Sequence, residues 1–165
     1  MTELALTPLV LSHVAISLIA IGLGLSVLLA LLKGSLPAQS NQLFLLFTFL
    51  TNATGLMIAP PGPPPSPAQI TAIVALIALA VGLYAFYVRH MAGRWRAIYV
   101  VTAIIGLYLN VFVLVVQLFT KVDALAAITG VPPAGPVFGG VQLLVLIGFI
   151  LAGRLAVKRY RAVPA

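Results

Sequence analysis

The polar side chains able to do chemistry in this sequence are few, and they interrupt long apolar runs. We single out His13, Asn52, Asn110, Gln117 and Gln142 as candidate ligand-binding residues. One imidazole and four amides can donate and accept hydrogen bonds, but only the imidazole exchanges a proton near neutral pH. Such a set is suited to orienting a lipophilic or uncharged molecule, for example a lipid, a quinone or a porphyrin.

The spacing of polar and small residues places them on common helix faces. The clearest example has intervals of four, four and seven, which is one face of a helix, and consists of Thr102, Gly106, Asn110 and Gln117. We predict that the five candidate residues form a polar cluster in the outer half of a membrane. Helix packing is the competing and favoured interpretation, because small residues recur every four positions at Gly22, Ser26 and Ala30 and at Ala78 and Gly82.

Several reaction classes are excluded by composition. The chain has no cysteine, which removes disulfides, thiolate metal sites and thiol redox chemistry. Its two carboxylates, Glu3 and Asp123, lie outside the apolar runs, so no acidic pair or proton relay is available at membrane depth. A hydroxyl nucleophile would need an activating base, and His13 is the sole candidate within the membrane. We therefore predict no catalytic residues and no metal site.

The two histidines raise the question of haem. His13 falls near the outer end of the first apolar run and His90 just past the inner end of the third, so a bilayer core of about 30 Å separates them. One haem iron cannot be ligated by both. A single axial ligand from His13 stays open, but the favoured role is a hydrogen bond to a neighbouring helix or headgroup, and no cofactor is predicted.

The elements that must position these residues are transmembrane helices. The chain is 62% hydrophobic and 7% charged with a mean hydropathy of +1.21, which is incompatible with a water-soluble domain. Runs long enough to cross a bilayer predict an all-α membrane protein with a single domain (1–165) and five helices in a compact bundle. The spans are predicted at about 8–32, 41–59, 68–88, 97–119 and 137–157.

The positions of the basic residues predict the orientation. Cytoplasmic loops retain Lys and Arg, and with five spans the basic residues fall almost entirely on one side; only Lys121 falls on the other. This places the amino terminus outside and the carboxyl terminus in the cytoplasm. The positive charge lies beside span ends, which favours topology and anionic lipid over nucleic acid. The cytoplasmic set is Lys33, Arg89, Arg94, Arg96, Arg154, Lys158, Arg159 and Arg161.

The outer loop after the fourth span begins Lys-Val-Asp-Ala-Leu-Ala-Ala-Ile and then breaks at a proline-rich stretch. We predict one or two turns of interfacial helix there, lying on the outer membrane face.

The fourth span and its flanks, from Trp95 to Leu125, resemble a stretch in an uncharacterised family of small bacterial multi-span integral membrane proteins. The similarity covers about a fifth of the chain. It implies the bacterial inner (cytoplasmic) membrane and no mechanism.

Two functions follow from these observations. The leading hypothesis is a non-catalytic accessory or interaction subunit of a membrane protein complex, whose partners are membrane lipids and other membrane proteins or further copies of itself. Its glycine- and alanine-rich helix faces favour this role. The alternative is the binding or transport of a lipophilic or uncharged small molecule in the outer-half polar pocket.

Overall fold

The computed structural model describes residues 7–59 and 62–161, and every regular element within these ranges is helical. Five helices, counting α3 with its π-turn and excluding the short α5, are long and apolar enough to cross a membrane. The five predicted spans are thus confirmed as helices, with each boundary within three residues of its prediction. The elements are α1 (Pro8–Leu32), α2 (Ala38–Ile58), α3 (Pro67–Leu83) with a π-helical turn (Tyr84–Val88), α4 (Arg94–Lys121), α5 (Asp123–Thr129) and α6 (Gly135–Arg159).

The helix starts follow from local side-chain chemistry. The Thr7 hydroxyl accepts from the Val10 amide at 3.3 Å, and Ser66 forms a capping box with Gln69. The long helix α4 extends past its apolar run at both ends, to Arg94 and Lys121. Both residues favour helix, and their flexible stems let the charges reach water, so the helix need not end where the apolar run ends.

Helix α4 lies at the centre and contacts every other helix, while α1 packs on α2 and α3 packs on both α2 and α4. The large side chains at the core are Tyr99, Phe44, Leu31 and Leu107. Helix α6 packs mainly against α4 and less extensively against α1 and α5, and most of its remaining surface is exposed. Its attachment is therefore the weakest among the five long helices.

Close approach of α1, α2 and α4 depends on Gly24. A Cβ atom there would lie 2.5 Å from Leu107 Cδ1 and 2.7 Å from Phe44 Cε2. The expectation that Gly22 and Ser26 support packing is wrong within this chain, because both are exposed and no described atom lies within 4 Å of a Cβ at Gly22. The packed face of α1 is the one that carries Gly24, two positions or about 200° away.

The second predicted pair of small residues does pack. A Cβ atom at Gly82 would lie 3.0 Å from the Thr102 hydroxyl, so Gly82 lets α3 approach α4. A short helix is also present where one was predicted after the fourth span: α5 has seven residues and none of them is buried.

Candidate functional site

His13 is partly buried on α1 and contacts α2. Its Nδ1 lies 2.8 Å from the Thr54 hydroxyl oxygen, and that hydroxyl donates to the Leu50 carbonyl oxygen at 2.7 Å. Because a hydroxyl has a single proton, the Thr54 oxygen accepts from Nδ1–H, and Nε2 keeps its lone pair. The predicted hydrogen bond from His13 to a neighbouring helix is confirmed. The imidazole is therefore held against α2 by the Thr54 hydroxyl.

Polar and small residues line the contact between α2 and α4, and we call this set the amide seam. The Tyr99 phenol donates to the Asn41 side-chain oxygen, and the Thr48 methyl lies 3.7 Å from the Cβ position of Gly106. In both pairs the residue numbers of the two partners differ by 58, so the two helices run parallel in a fixed register. The same register places Asn52 level with Asn110. The seam comprises Asn41, Thr48 and Asn52 on α2 and Tyr99, Gly106 and Asn110 on α4.

Two of the predicted residues, Asn52 and Asn110, therefore lie in the seam. Both are buried, at 6% and 7% exposure. The Asn52 amide donates to the Thr48 carbonyl oxygen of its own helix at 2.8 Å. The Asn110 Nδ2 is buried with no hydrogen-bond partner in the described part of the chain, and the Thr48 hydroxyl shares that condition. A buried polar group without a hydrogen-bond partner lowers the stability of the folded state. A polar ligand group that supplied such a partner would therefore bind favourably in the seam.

The remaining two predicted residues do not join the seam. Gln142 on α6 is buried and donates from Nε2 to the Phe112 carbonyl oxygen at 3.2 Å, so it approaches α4 from the α6 side. Gln117 shares the helix face of Asn110 but is exposed. The register explains this difference, because Gln117 is level with Ala59, which follows the last residue of α2. At the level of Gln117, α2 has already ended while α4 continues.

Sequence reasoning missed the pair of Asn41 and Tyr99. Asn41 is the first residue of the predicted second span and Tyr99 lies near the start of the predicted fourth, and neither was a candidate site residue; both are fully buried. The spacing of residues in the sequence did indicate this pair. On α2, polar residues occur at intervals of seven and four from Asn41, and on α4 the same intervals run from Tyr99 through Gly106 to Asn110. Matching intervals on parallel helices indicate a shared seam.

The predicted residues line neither of two cavities formed by the described part of the chain. A void of about 10 Å³ adjoins the seam near Thr48 and Gly106. A groove of about 680 Å³ lies between α4 and α6. Within residues 7–59 and 62–161 no three His, Cys, Asp or Glu side chains are grouped to hold a metal ion. The seam and His13 are thus equipped for hydrogen bonding to a neutral group.

Guanidinium groups tie the helix ends together at one end of the molecule. Arg96 donates to the carbonyl oxygens of Val157, at 2.9 Å, and Tyr160, and Arg159 donates to that of Leu32 at 3.1 Å. The carbonyls of a helix's last turn lack partners within the helix. Burial raises the pKa of the Tyr160 phenol, and the Arg96 guanidinium opposes that shift. Arg89 lies over the Trp95 ring at 5.3 Å from its centroid.

Comparison with protein-family models, curated proteins and solved structures gave no match. What the site does follows from the chain's own residues.

Proposed function

We propose that this protein is a non-catalytic interaction subunit of a membrane protein complex and that it docks through α6. The observation that carries the proposal is the burial of its helices. Only 11% of the most apolar stretch of α6 is buried, against 33–44% in the other four long helices. A transmembrane helix with so little buried surface has most of that surface available to another protein.

The free face of α6 has the shape that favours close helix contact. Leu144 and Leu151 are 71% and 60% exposed, and Gly140 and Gly148 lie on the same face. No atom of the described residues lies within 4 Å of a Cβ built on either glycine. Small residues between larger ones let two helix backbones approach in lipid, where packing drives association. This docking face is Gly140, Leu144, Gly148 and Leu151.

The proposed setting is the bacterial inner membrane, with the five helices as a compact bundle, the amino terminus outside and the carboxyl terminus in the cytoplasm. The ends of α1 and α6 and the start of α4 meet where Arg96 and Arg159 bind carbonyls. Eight of the nine Lys and Arg residues belong to that end by sequence. Positive charge concentrated at one end supports a cytoplasmic location for it. The resemblance of residues 95–125 to small bacterial membrane proteins supports the choice of membrane.

Photocrosslinking in native membranes tests the docking face. A benzophenone side chain placed at Leu144 should give a discrete adduct, and one at Ile77, which is 61% exposed on α3, should not. Gly148→Ile should abolish the adduct by separating the helices. Gly22→Ile is the matched control, because a Cβ at Gly22 likewise meets no described atom within 4 Å. If the benzophenone at position 144 gives only uncrosslinked monomer, both in membranes and after gentle extraction, the proposal is contradicted.

A second function, binding of a lipid, quinone or porphyrin, is favoured by one observation. Buried polar atoms in and beside the seam lack partners within the described ranges: Asn41 Nδ2, Thr48 Oγ1, Thr51 Oγ1 and Asn110 Nδ2. A ligand that supplied hydrogen-bond partners would relieve that cost. The His13 imidazole, between α1 and α2, would provide a further hydrogen-bonding group for such a ligand.

A further inference from the structure

The groove between α4 and α6 is apolar along its length and cationic at one end. Its walls are formed by aliphatic and aromatic side chains, with Tyr108 and Phe149 in ring contact at 5.7 Å between centroids. Arg154 and Lys158 line it near the end of α6. Its volume of about 680 Å³ falls in the usual range of ligand sites. From Leu146 to Lys158 it follows α6 for about 18 Å, somewhat more than one leaflet's depth of hydrocarbon.

The two cations at the groove have no counter-charge among the residues that the structure describes. Arg154 and Lys158 are four residues apart and therefore on one helix face, and both are exposed. Neither makes a hydrogen bond or ion pair with any residue that the structure describes. Arg96 and Arg159, by contrast, donate to backbone carbonyls. The one described carboxylate, Asp123, begins α5 beyond the opposite end of α4.

The depth of Arg154 makes this lack of a partner informative. It lies five residues before the last residue of α6, about 7.5 Å further into the membrane than Arg159. A guanidinium facing lipid at that depth is costly unless an acceptor meets it. A phosphodiester matches the planar fork of Arg with two oxygens, and an ammonium one turn away adds a second contact.

We infer that the groove binds an anionic phospholipid. One acyl chain lies between α4 and α6, and the headgroup phosphate is held between Arg154 and Lys158. Net negative charge is preferred because two uncompensated cations meet the headgroup, whereas a choline or ethanolamine group would bring a third positive charge. The cationic end of the groove adjoins the docking face, because Lys158 lies seven residues after Leu151 on α6. Val101 is on α4, outside that face, so a substitution there tests lipid binding separately from subunit docking.

The test uses the purified full chain and native mass spectrometry from detergent with added phosphatidylglycerol or phosphatidylcholine. We expect one phosphatidylglycerol retained per chain and phosphatidylcholine lost. Arg154→Gln with Lys158→Gln should weaken retention about fivefold for each charge removed. Lys33→Gln with Arg94→Gln is the matched control, since it removes one Lys and one Arg at the same end without altering the groove wall, and it should keep the lipid.

A second variant separates the acyl chain from the charge. Val101 is 45% exposed on the groove wall, and Val101→Trp should displace the lipid while leaving every cation in place. Circular dichroism and a monodisperse elution profile establish that each variant folds. If the charge variant does not fold, the lipid retained by Val101→Trp decides whether the groove is the binding site. If the control variant lost as much phosphatidylglycerol as the groove variant, the lipid would be held by diffuse attraction to surface charge, and the inference would be overturned. Full retention in Val101→Trp, or equal retention of both lipids, would also overturn it.

Discussion

The Tyr99 phenol donates a hydrogen bond to the side-chain oxygen of Asn41, and neither residue has any exposed surface. The bond joins α4 to α2 near the basic end of the molecule and sets the register of the amide seam. The bond gives the Asn41 side-chain oxygen a donor, but the Nδ2 of the same amide has no partner within the described residues. Removing the phenol therefore isolates a buried amide completely.

Tyr99→Phe should lower the free energy of unfolding by about 1–3 kcal/mol, because the Asn41 oxygen then has no donor in an apolar interior. The measurement is an SDS or urea titration in detergent micelles. Adding Asn41→Leu to Tyr99→Phe should recover most of the loss, since both polar partners are then gone. Tyr108→Phe is the control, because its hydroxyl bonds to no described residue; a loss there equal to that of Tyr99→Phe would contradict this reasoning.

Gly24→Ala should destabilise the chain by about 1–3 kcal/mol, because the new methyl overlaps Leu107 and Phe44. The same unfolding titration measures it. Gly22→Ala, two residues away on the exposed side, should change stability by less than about 1 kcal/mol. Equal effects at the two glycines would mean that α1 does not present its Gly24 face to α2 and α4.

Single-cysteine labelling tests the orientation, and the absence of native cysteine makes it clean. Ala127→Cys on α5 and Ala92→Cys in the turn between α3 and α4 are both exposed positions. A membrane-impermeant maleimide added to spheroplasts should label residue 127 directly and residue 92 only after permeabilisation. Direct labelling at both positions would refute the proposed topology.

A ligand at the seam should depend on His13 and Asn110. If a lipophilic molecule co-purifies from native membranes, His13→Phe with Asn110→Leu should remove it, because the variant lacks the imidazole and the unpaired amide donor. Organic extraction with mass spectrometry and an absorption spectrum provide the readout. Gln117→Leu should keep the molecule, since Gln117 is exposed beyond the end of α2. Retention in the double variant would rule out the seam as its site.

The helices were predictable because hydropathy over a bilayer's length is a property of the sequence alone. The faces were predictable only in part. The spacing on α4 correctly grouped Gly106 with Asn110, yet it also included Gln117, whose exposure depends on where α2 ends. Gly22 and Gly24 are both small residues on α1, and only the packing of three helices decides which one is buried. Relative register between helices was the missing quantity in each case.

Arginine at the basic end has two duties during the life of the molecule. In the proposed topology its charge would direct how the nascent chain enters the membrane, and its guanidinium binds carbonyl oxygens at the ends of α1 and α6. An uncharged substitution at Arg96 disturbs biogenesis and final architecture together. Replacement by lysine separates them, because the inserted topology survives while the forked cap is lost.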